Sequence, residues 1–567
     1  MTVSHGGAPS SQVVEQPAQR VGEHQVRASG QERSRRDLER GALIGVLVLA
    51  ATVRLWALGG QPLVFFDSGV YLGEGAFLAS AAQRAGSALV SPGAPGPLER
   101  VALAVQTGTD GHPPDIAKPG HATLLAMSML LLGKTALAGA LVSALAGIAT
   151  VAVTFALGMT GWGASVAVPS AILLAISGQH LVYSREPLVE ADGMFLATLA
   201  ALVYLRAGSS RRLFLAGALW GAAFTCNNRL SYLPGVFFIA ELARWPGLAR
   251  FIRRGVLVAG GFLTPLAAIE SVYLLARGVG RGVGARTDWL DYAQQLAAFT
   301  RMNPPDRFRF DEWPTYFVDL ALMDGLGILV LLLGGIGVLM WRLRRRPWSS
   351  ADLLLAGSLL LPLALYSVYS TGEVRLRHFS LALPWVMLAA GLGLQRLASL
   401  AGRYHSLVLT GLVGLLTVAA VPRLVALDSA PSGMPTLLNA IGSGPAASTN
   451  GPVLAFYTGE NRTNARLREA FVNVPADLAS LVPHYPILVV DMQASVFPGE
   501  LTDIYAQAEP RLVVPNGNDA WYLADLLEHY GSSWGGWNDL LATWQANREP
   551  ASQLRVYALP ELLRSGQ

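Results

Sequence analysis

Apolar runs close to twenty residues long recur from Gly41 to Leu424 and then stop. A run of about twenty residues crosses the hydrocarbon core of a bilayer as an α-helix. The runs lie at 41–59, 119–133, 135–158, 163–183, 190–206, 212–225, 229–243, 255–277, 318–341, 351–371, 379–398 and 404–424. Arginines punctuate their connections. Arg206, Arg211 and Arg212 mark one turn, and Arg244, Arg250, Arg253 and Arg254 a second. Arg342, Arg344, Arg345 and Arg346 mark a third, and Arg396 and Arg403 a fourth. Cytoplasmic loops collect Lys and Arg, so these turns are expected inside. Counting back from Arg206, segment 119–133 has to start and end on the outer face. It is also short for a crossing, so the pattern predicts an interfacial or re-entrant helix there. Eleven spans remain, with the N-terminus inside and the C-terminus outside. Segments 212–225 and 229–243 are short as well and read as a tilted or partly re-entrant pair, its Asn227-Asn228-Arg229 turn outside.

The two ends of the chain break the pattern. Residues 1–40 are polar and Arg-rich with almost no apolar clustering, which reads as a disordered cytoplasmic tail. From about 425 the runs shorten. Pro452 to Tyr457, Pro486 to Asp491 and Arg511 to Val514 read as buried strands, with a helical pattern from Ala520 to Tyr530. Alternation of strand and helix predicts a small α/β domain. The expected fold is therefore mainly α: a polytopic membrane protein of about eleven transmembrane helices plus external juxtamembrane helices. A small C-terminal α/β extracytoplasmic domain follows it. The domains are 1–40 (tail), 41–424 (membrane) and 425–567 (extracytoplasmic).

Composition agrees with a membrane protein. The chain is 52% hydrophobic and 14% charged, where a soluble domain carries about 25% charged residues. A net charge of +4 gives no reason to expect a nucleic-acid partner. The single cysteine, Cys226, cannot form an internal disulfide. Almost every cation is Arg; the lysines are Lys118 and Lys134.

The predicted topology sorts the candidate chemistry onto one face. Asp67, in Phe65-Phe66-Asp67-Ser68-Gly69-Val70-Tyr71, opens the first outer loop, and His112, Asp115 and Lys118 close it. Arg185, Glu190 and Asp192 lie in the second outer loop, and Arg375, Arg377 and His378 in a late one. Ionisable groups at a membrane surface are functional candidates. Carboxylates beside Arg and Lys suit an anionic lipid headgroup and an acid–base step, because Arg grips phosphate in a bidentate fork and Lys supplies a point charge. Plainer readings stand beside these. Lys118 and Arg185 would also snorkel to the interface, and Glu190 and Asp192 would also stabilise a helix N-terminus. No second His or Cys sits at metal-ligand spacing from His112 or His378, so no metal site is expected.

The order of these pieces resembles the GT-C glycosyltransferases, in particular the protein mannosyltransferase and aminoarabinose transferase branch. The resemblance covers about 41–424. It rests on Asp67 with Tyr71, His112-Pro113-Pro114 with Lys118-Pro119 ahead of a short juxtamembrane helix, Ser184-Arg185 followed by Glu190, and the Arg375 to Pro384 stretch. The family usually has Asp where Glu190 stands, so Glu190 and Asp192 both remain candidates for that place. Ser68 departs from the family's acidic or aromatic residue after the first Asp.

The resemblance implies an inverting transfer of a sugar from a polyprenyl-phosphate donor to a glycan, lipid or protein acceptor, at the extracytoplasmic face of the cell membrane. It implies no cofactor. Asp67 would act as base or acceptor for the incoming hydroxyl. Glu190 or Asp192 would be the second acid. Lys118, Arg185, Arg375, Arg377 and His378 would hold the donor phosphate, and Tyr71, His112 and Asp115 would bind substrate. A polytopic lipid or sugar transporter is the competing class. Transporters show repeats and charges near the midplane; here no repeat is found and most charges fall at helix ends.

Overall fold

A computed structural model describes residues 18–565, apart from 91–95, 98, 101–110, 115–116, 244, 246, 283, 285–286, 303–312, 346, 369–374, 443, 459–466, 470–474, 497–503, 506 and 530–536. The chain divides into two units, Met1–Gly45 and Val46–Gln567. The stretch expected as a disordered tail is helical from Ala18, within a single helix Ala18–Leu55. Its Ala, Gln, Glu and Arg residues are good helix formers, so a helix seeded in the apolar run continues through them. Residues 1–17 lie outside the described ones.

The second unit is mostly helical. Among the described residues of the chain, five helices are long and apolar enough to cross a membrane, six if the bent pair Ala164–Ala175 and Gly178–Arg185 counts as one span. Eleven were expected; the other five appear as helices too short or not apolar enough by that measure, Val189–Leu205, Ser210–Cys226, Leu233–Leu242, Ser350–Val368 and Leu383–Ser399. The run 163–183 bends by 58° near Ser177, whose side chain caps the second half at the His180 amide (3.1 Å). The run 318–341 is split at Gly325, with φ 95, into Trp313–Asp324 and Leu326–Leu343. The short segments appear as Pro119–Leu132, Ser210–Cys226 and Leu233–Leu242. Leu131, Leu275, Leu407 and Val418 stand exposed on helix surfaces, as side chains that face acyl chains do. The helices Ser210–Cys226 and Leu248–Gly282 touch backbone to backbone. A Cβ on Gly217 would lie 2.1 Å from the Val258 carbonyl oxygen, and one on Gly261 2.1 Å from that of Phe214. Small residues allow such approach between membrane helices.

Turns placed on one side by the arginine count also meet. Arg206 donates to Thr160 (3.0 Å), and Trp162 and Arg342 both donate to Asp352 (2.9 and 3.0 Å).

The C-terminal region forms a five-stranded sheet: β1 (Ala446–Ser448), β2 (Leu467–Glu469), β3 (Ile487–Val490), β4 (Leu512–Pro515) and β5 (Gln553–Ala558). Their order is β2-β1-β3-β5-β4. β1 is parallel to β2 and β3, and β5 runs antiparallel to β3 and β4. The expected strand at 452–457 is instead the helix Gly451–Thr458. Short apolar runs bury equally well in either form. Here Pro452 lies in the first turn, a favoured place in a helix, and β1 immediately before it supplies the sheet's strand.

This domain is joined to the helices through a shared apolar core. Leu63, Leu72, Ala76, Ala126 and Met129 on the helical side meet Leu437, Val453, Leu454, Val489 and Val556 on the other. The contact is closest at Gly69 in the helix Phe66–Val90. A Cβ there would lie 2.3 Å from the Val453 nitrogen and 2.4 Å from the Pro452 carbonyl carbon. Neither atom can turn aside as a side chain could, so Gly69→Val should force the sheet domain off this helix. We expect a loss of about 1–3 kcal/mol of stability, read as a lower thermal midpoint and earlier protease cleavage between 425 and 450. Gly60→Ala, which has open space around its Cβ, should change neither.

Candidate active site

The helix Phe66–Val90 begins where the chain is held most tightly. Glu186 accepts the Val64 amide (2.7 Å) with one carboxylate oxygen and bonds the Ser68 hydroxyl with the other. The Val64 carbonyl accepts from Asn450 (3.2 Å) and Gln493 (3.5 Å). Those two residues follow β1 and β3, parallel neighbours whose chain connections leave in opposite directions. In open α/β sheets that crevice is where ligands bind; here it receives the chain's own loop. Phe65 stacks on Tyr183 with ring centres 6.3 Å apart and meets Trp521 edge-on at 6.4 Å. The departure from family pattern at Ser68 thus has a local use, since its hydroxyl ties the helix start to Glu186. Burial pushes the Glu186 carboxyl up to about 8, assisted by Asp525 and Glu528 and opposed by the Ser68 and Val64 hydrogen bonds.

Between the two clamped residues Val64 and Ser68, Asp67 belongs to a cluster drawn from six parts of the chain. Its carboxylate is paired with Arg377. Tyr71, one helical turn on, donates to the same carboxylate (3.3 Å). Lys118 donates to the Tyr71 hydroxyl, and its ammonium lies 4.9 Å from that ring's centre. Arg377 is also paired with Glu528 of the sheet domain and lies 3.6 Å from Glu190. Glu190 in turn pairs with Arg229 (3.2 Å). Tyr71, Lys118, Glu190, Arg377 and Glu528 are buried. Asp67 is the member open to the outside, with 33% of its side chain exposed.

The charges shape one another. Burial works against ionisation of Asp67, yet Arg377, Lys118 and Arg229 hold its carboxyl well below the usual carboxylate range. Burial and Arg229 bring Lys118 down to about 8, against the pull of Asp67 and Glu190. Burial opposes the charge on Arg377 as well, but Glu528, Glu190 and Asp67 keep the guanidinium firmly protonated.

Other expected site residues fall nearby or elsewhere. Asp192 accepts from His121 Nδ1 (2.6 Å), and the His121 ring meets Tyr71 edge-on at 5.1 Å. Asp192 therefore braces the cluster from behind, while Glu190 lies inside it. His378 stacks on Tyr366 (4.7 Å), which donates to the Arg229 carbonyl (2.7 Å). His112 is wedged against the helix Phe66–Val90, its amide on the Gly73 carbonyl (3.3 Å) and its ring where a Gly73 Cβ would go. Arg185 points away from Asp67. It donates to Gln61 (2.8 Å), to the Val53 and Trp56 carbonyls (3.1 and 2.9 Å) and to Asp428 (2.6 Å). This ties the first and last apolar helices together. Asp115 and the side chain of Arg375 lie outside the described residues, though Arg375 opens the short helix Arg375–Ser380.

Arg229, His121 and Glu528 were not among the expected residues. The outward turn Asn227-Asn228-Arg229 was a signal for the first, and the adjacency of His121 to Lys118-Pro119 for the second. Glu528 lies in a helix of the sheet domain, Asp519–His529, with no local mark in the sequence. Among the described residues no three His, Cys, Asp or Glu side chains converge as metal ligands would.

The family model described as dolichyl-phosphate-mannose-protein mannosyltransferase matches residues 112–274, the stretch that carries Lys118, Glu190 and Arg229. The structure is similar to the archaeal oligosaccharyltransferase AglB from Archaeoglobus fulgidus in complex with an inhibitory peptide and a dolichol-phosphate. That likeness has a TM-score of 0.51 at 12% identity and covers 82% of this chain and 71% of that one. ArnT from Cupriavidus metallidurans aligns with a TM-score of 0.47 at 13% identity, over 79% of this chain and 92% of that one. No curated protein sequence matches the chain. At such identities the likeness is one of fold alone.

The placement of Arg185 has a direct consequence. Removing one partner of a buried ion pair costs about 3–5 kcal/mol, so Arg185→Ala should strongly lower the thermal midpoint. Asp428→Ala, which removes the other partner, should lower it as well, and an unchanged midpoint in Arg185→Ala would overturn this bracing role.

Proposed function

We propose that this chain is an integral-membrane inverting glycosyltransferase that moves a sugar from a polyprenyl-phosphate donor to an acceptor hydroxyl or amine. The observation that carries this reading is the Asp67 cluster: one solvent-open carboxylate backed by the buried cations Arg377 and Lys118. We place the cluster and residues 425–567 on the extracytoplasmic face and the N-terminus in the cytoplasm, following the arginine-rich turns.

In the proposed reaction the acceptor attacks the anomeric carbon in a single displacement, and the transition state is oxocarbenium-like. The leaving lipid phosphate is a stable anion and needs no proton; it needs fixed positive charge. Arg377 and Lys118 supply it from buried positions, where preorganised charge is most effective. Glu190, through Arg229 and Arg377, keeps those cations in place. Asp67 takes the acceptor's proton or orients it. Without donor, its cations make Asp67 too weak a base. A donor phosphate beside Arg377 and Lys118 offsets their charge, so they hold the Asp67 carboxyl down less and the base is strengthened when donor is present.

Replacing Asp67 with Asn should lower transfer roughly 10²–10⁴-fold, the span of general-base effects, while undecaprenyl-phosphate binding persists. Full turnover by the variant would refute the assignment. A second test uses pH. The ammonium of Lys118 titrates near 8 rather than above 10, so raising pH through about 8 removes a positive charge from the phosphate site. Donor affinity should therefore fall by about tenfold between about pH 7 and about pH 9. Lys118→Arg, which stays charged throughout, should flatten the profile. An equally steep fall in that variant would assign the titration to another group.

A further inference from the structure

Arg377 has more anionic partners than a free phosphate-binding arginine would keep. A guanidinium offers two edges to a bidentate oxyanion. One is formed by Nη1 and Nη2, the other by Nη2 and Nε, so Nη2 belongs to both. Asp67 is paired with Nη1, Glu528 with Nη2, and Glu190 stands 3.6 Å from Nε without a hydrogen bond. Moving Asp67 alone opens neither edge. Moving Glu528 alone opens the Nη2–Nε edge and leaves the Asp67 pairing intact.

We propose that Glu528 is a further residue of the donor site, an anionic place-holder that the sheet domain puts on Arg377 and that a polyprenyl phosphate displaces. The proposal rests on the reading of Arg377 as a phosphate ligand given above. Three points support it. Glu528 is itself buried, so in the donor-free protein it supplies negative charge that the buried guanidinium requires. It lies in the last turn of the helix Asp519–His529. The same helix carries Trp521, which packs on Phe65 and donates to the Leu427 carbonyl (3.0 Å). Its start is thereby anchored to the loop before Asp67, and its end holds the group that yields. Exchange of carboxylate for phosphate keeps Arg377 neutralised throughout, and it makes donor occupancy felt by the sheet domain.

The test uses the full-length protein in detergent with undecaprenyl phosphate as probe. Glu528→Gln removes a like charge that competes with the phosphate, so its lipid affinity should rise about tenfold or more. Wild-type protein saturated with the lipid should show faster amide hydrogen exchange in 519–529. Arg377→Ala should lose the lipid. If Arg377→Ala loses binding while Glu528→Gln binds with equal or lower affinity, the exchange is wrong and the phosphate role of Arg377 stands. If Arg377→Ala keeps its affinity, the phosphate role itself fails. Should Glu528→Gln not fold, wild-type exchange decides alone: unchanged or slower exchange in 519–529 on lipid addition overturns the proposal.

Discussion

A guanidinium cannot remain charged in a dry interior without anions around it, and the site is arranged by that requirement on Arg377. Asp67 comes from the first loop, Glu190 from the second, and Glu528 from the sheet domain; all three converge on one buried cation. Lys118 and Arg229 then offset the excess negative charge. The outcome is a near-neutral knot of charges from segments hundreds of residues apart. Its single solvent-open member is the carboxylate to which we assign the acceptor.

The sheet domain belongs to this arrangement. Its crevice at the ends of β1 and β3 holds the Val64 carbonyl. The helix Gly451–Thr458 lies against Gly69 without a side chain between them, and the helix Asp519–His529 brings Glu528. Asp67 lies between the first two of these contacts in sequence. A loop fixed on both sides by backbone-level contacts gives a carboxylate little freedom, and such preorganisation is what a displacement reaction needs.

The helical elements were largely legible in the chain, since apolar runs and arginine-rich turns mark them directly. Their breaks were less so. Gly325 and Ser177 interrupt stretches that read along the sequence as single runs, and a hydropathy pattern does not register a bend. The helix at 451–458 was misread because burial, and not period, governs a run that short. At the site, Asp67, Tyr71, Lys118, Glu190 and Arg377 could be picked out by type and predicted side. Arg185 was grouped with them on the same grounds, yet its donors serve Gln61, two carbonyls and Asp428. Two arginines in outward loops look alike until their partners are known.

Sequence alone determined that the chain is a many-helix membrane protein with a terminal α/β domain, and which ionisable groups lie at one end of it. These follow from local composition and from the cost of placing charge in hydrocarbon, both of which act residue by residue. Tertiary structure decided which of those groups meet. It separated Glu190, inside the cluster, from Asp192, behind it on His121, and it added Glu528. Charge neutralisation of a buried arginine is a property of the packed interior, where groups distant in sequence share one low-dielectric volume. No spacing along the chain encodes it.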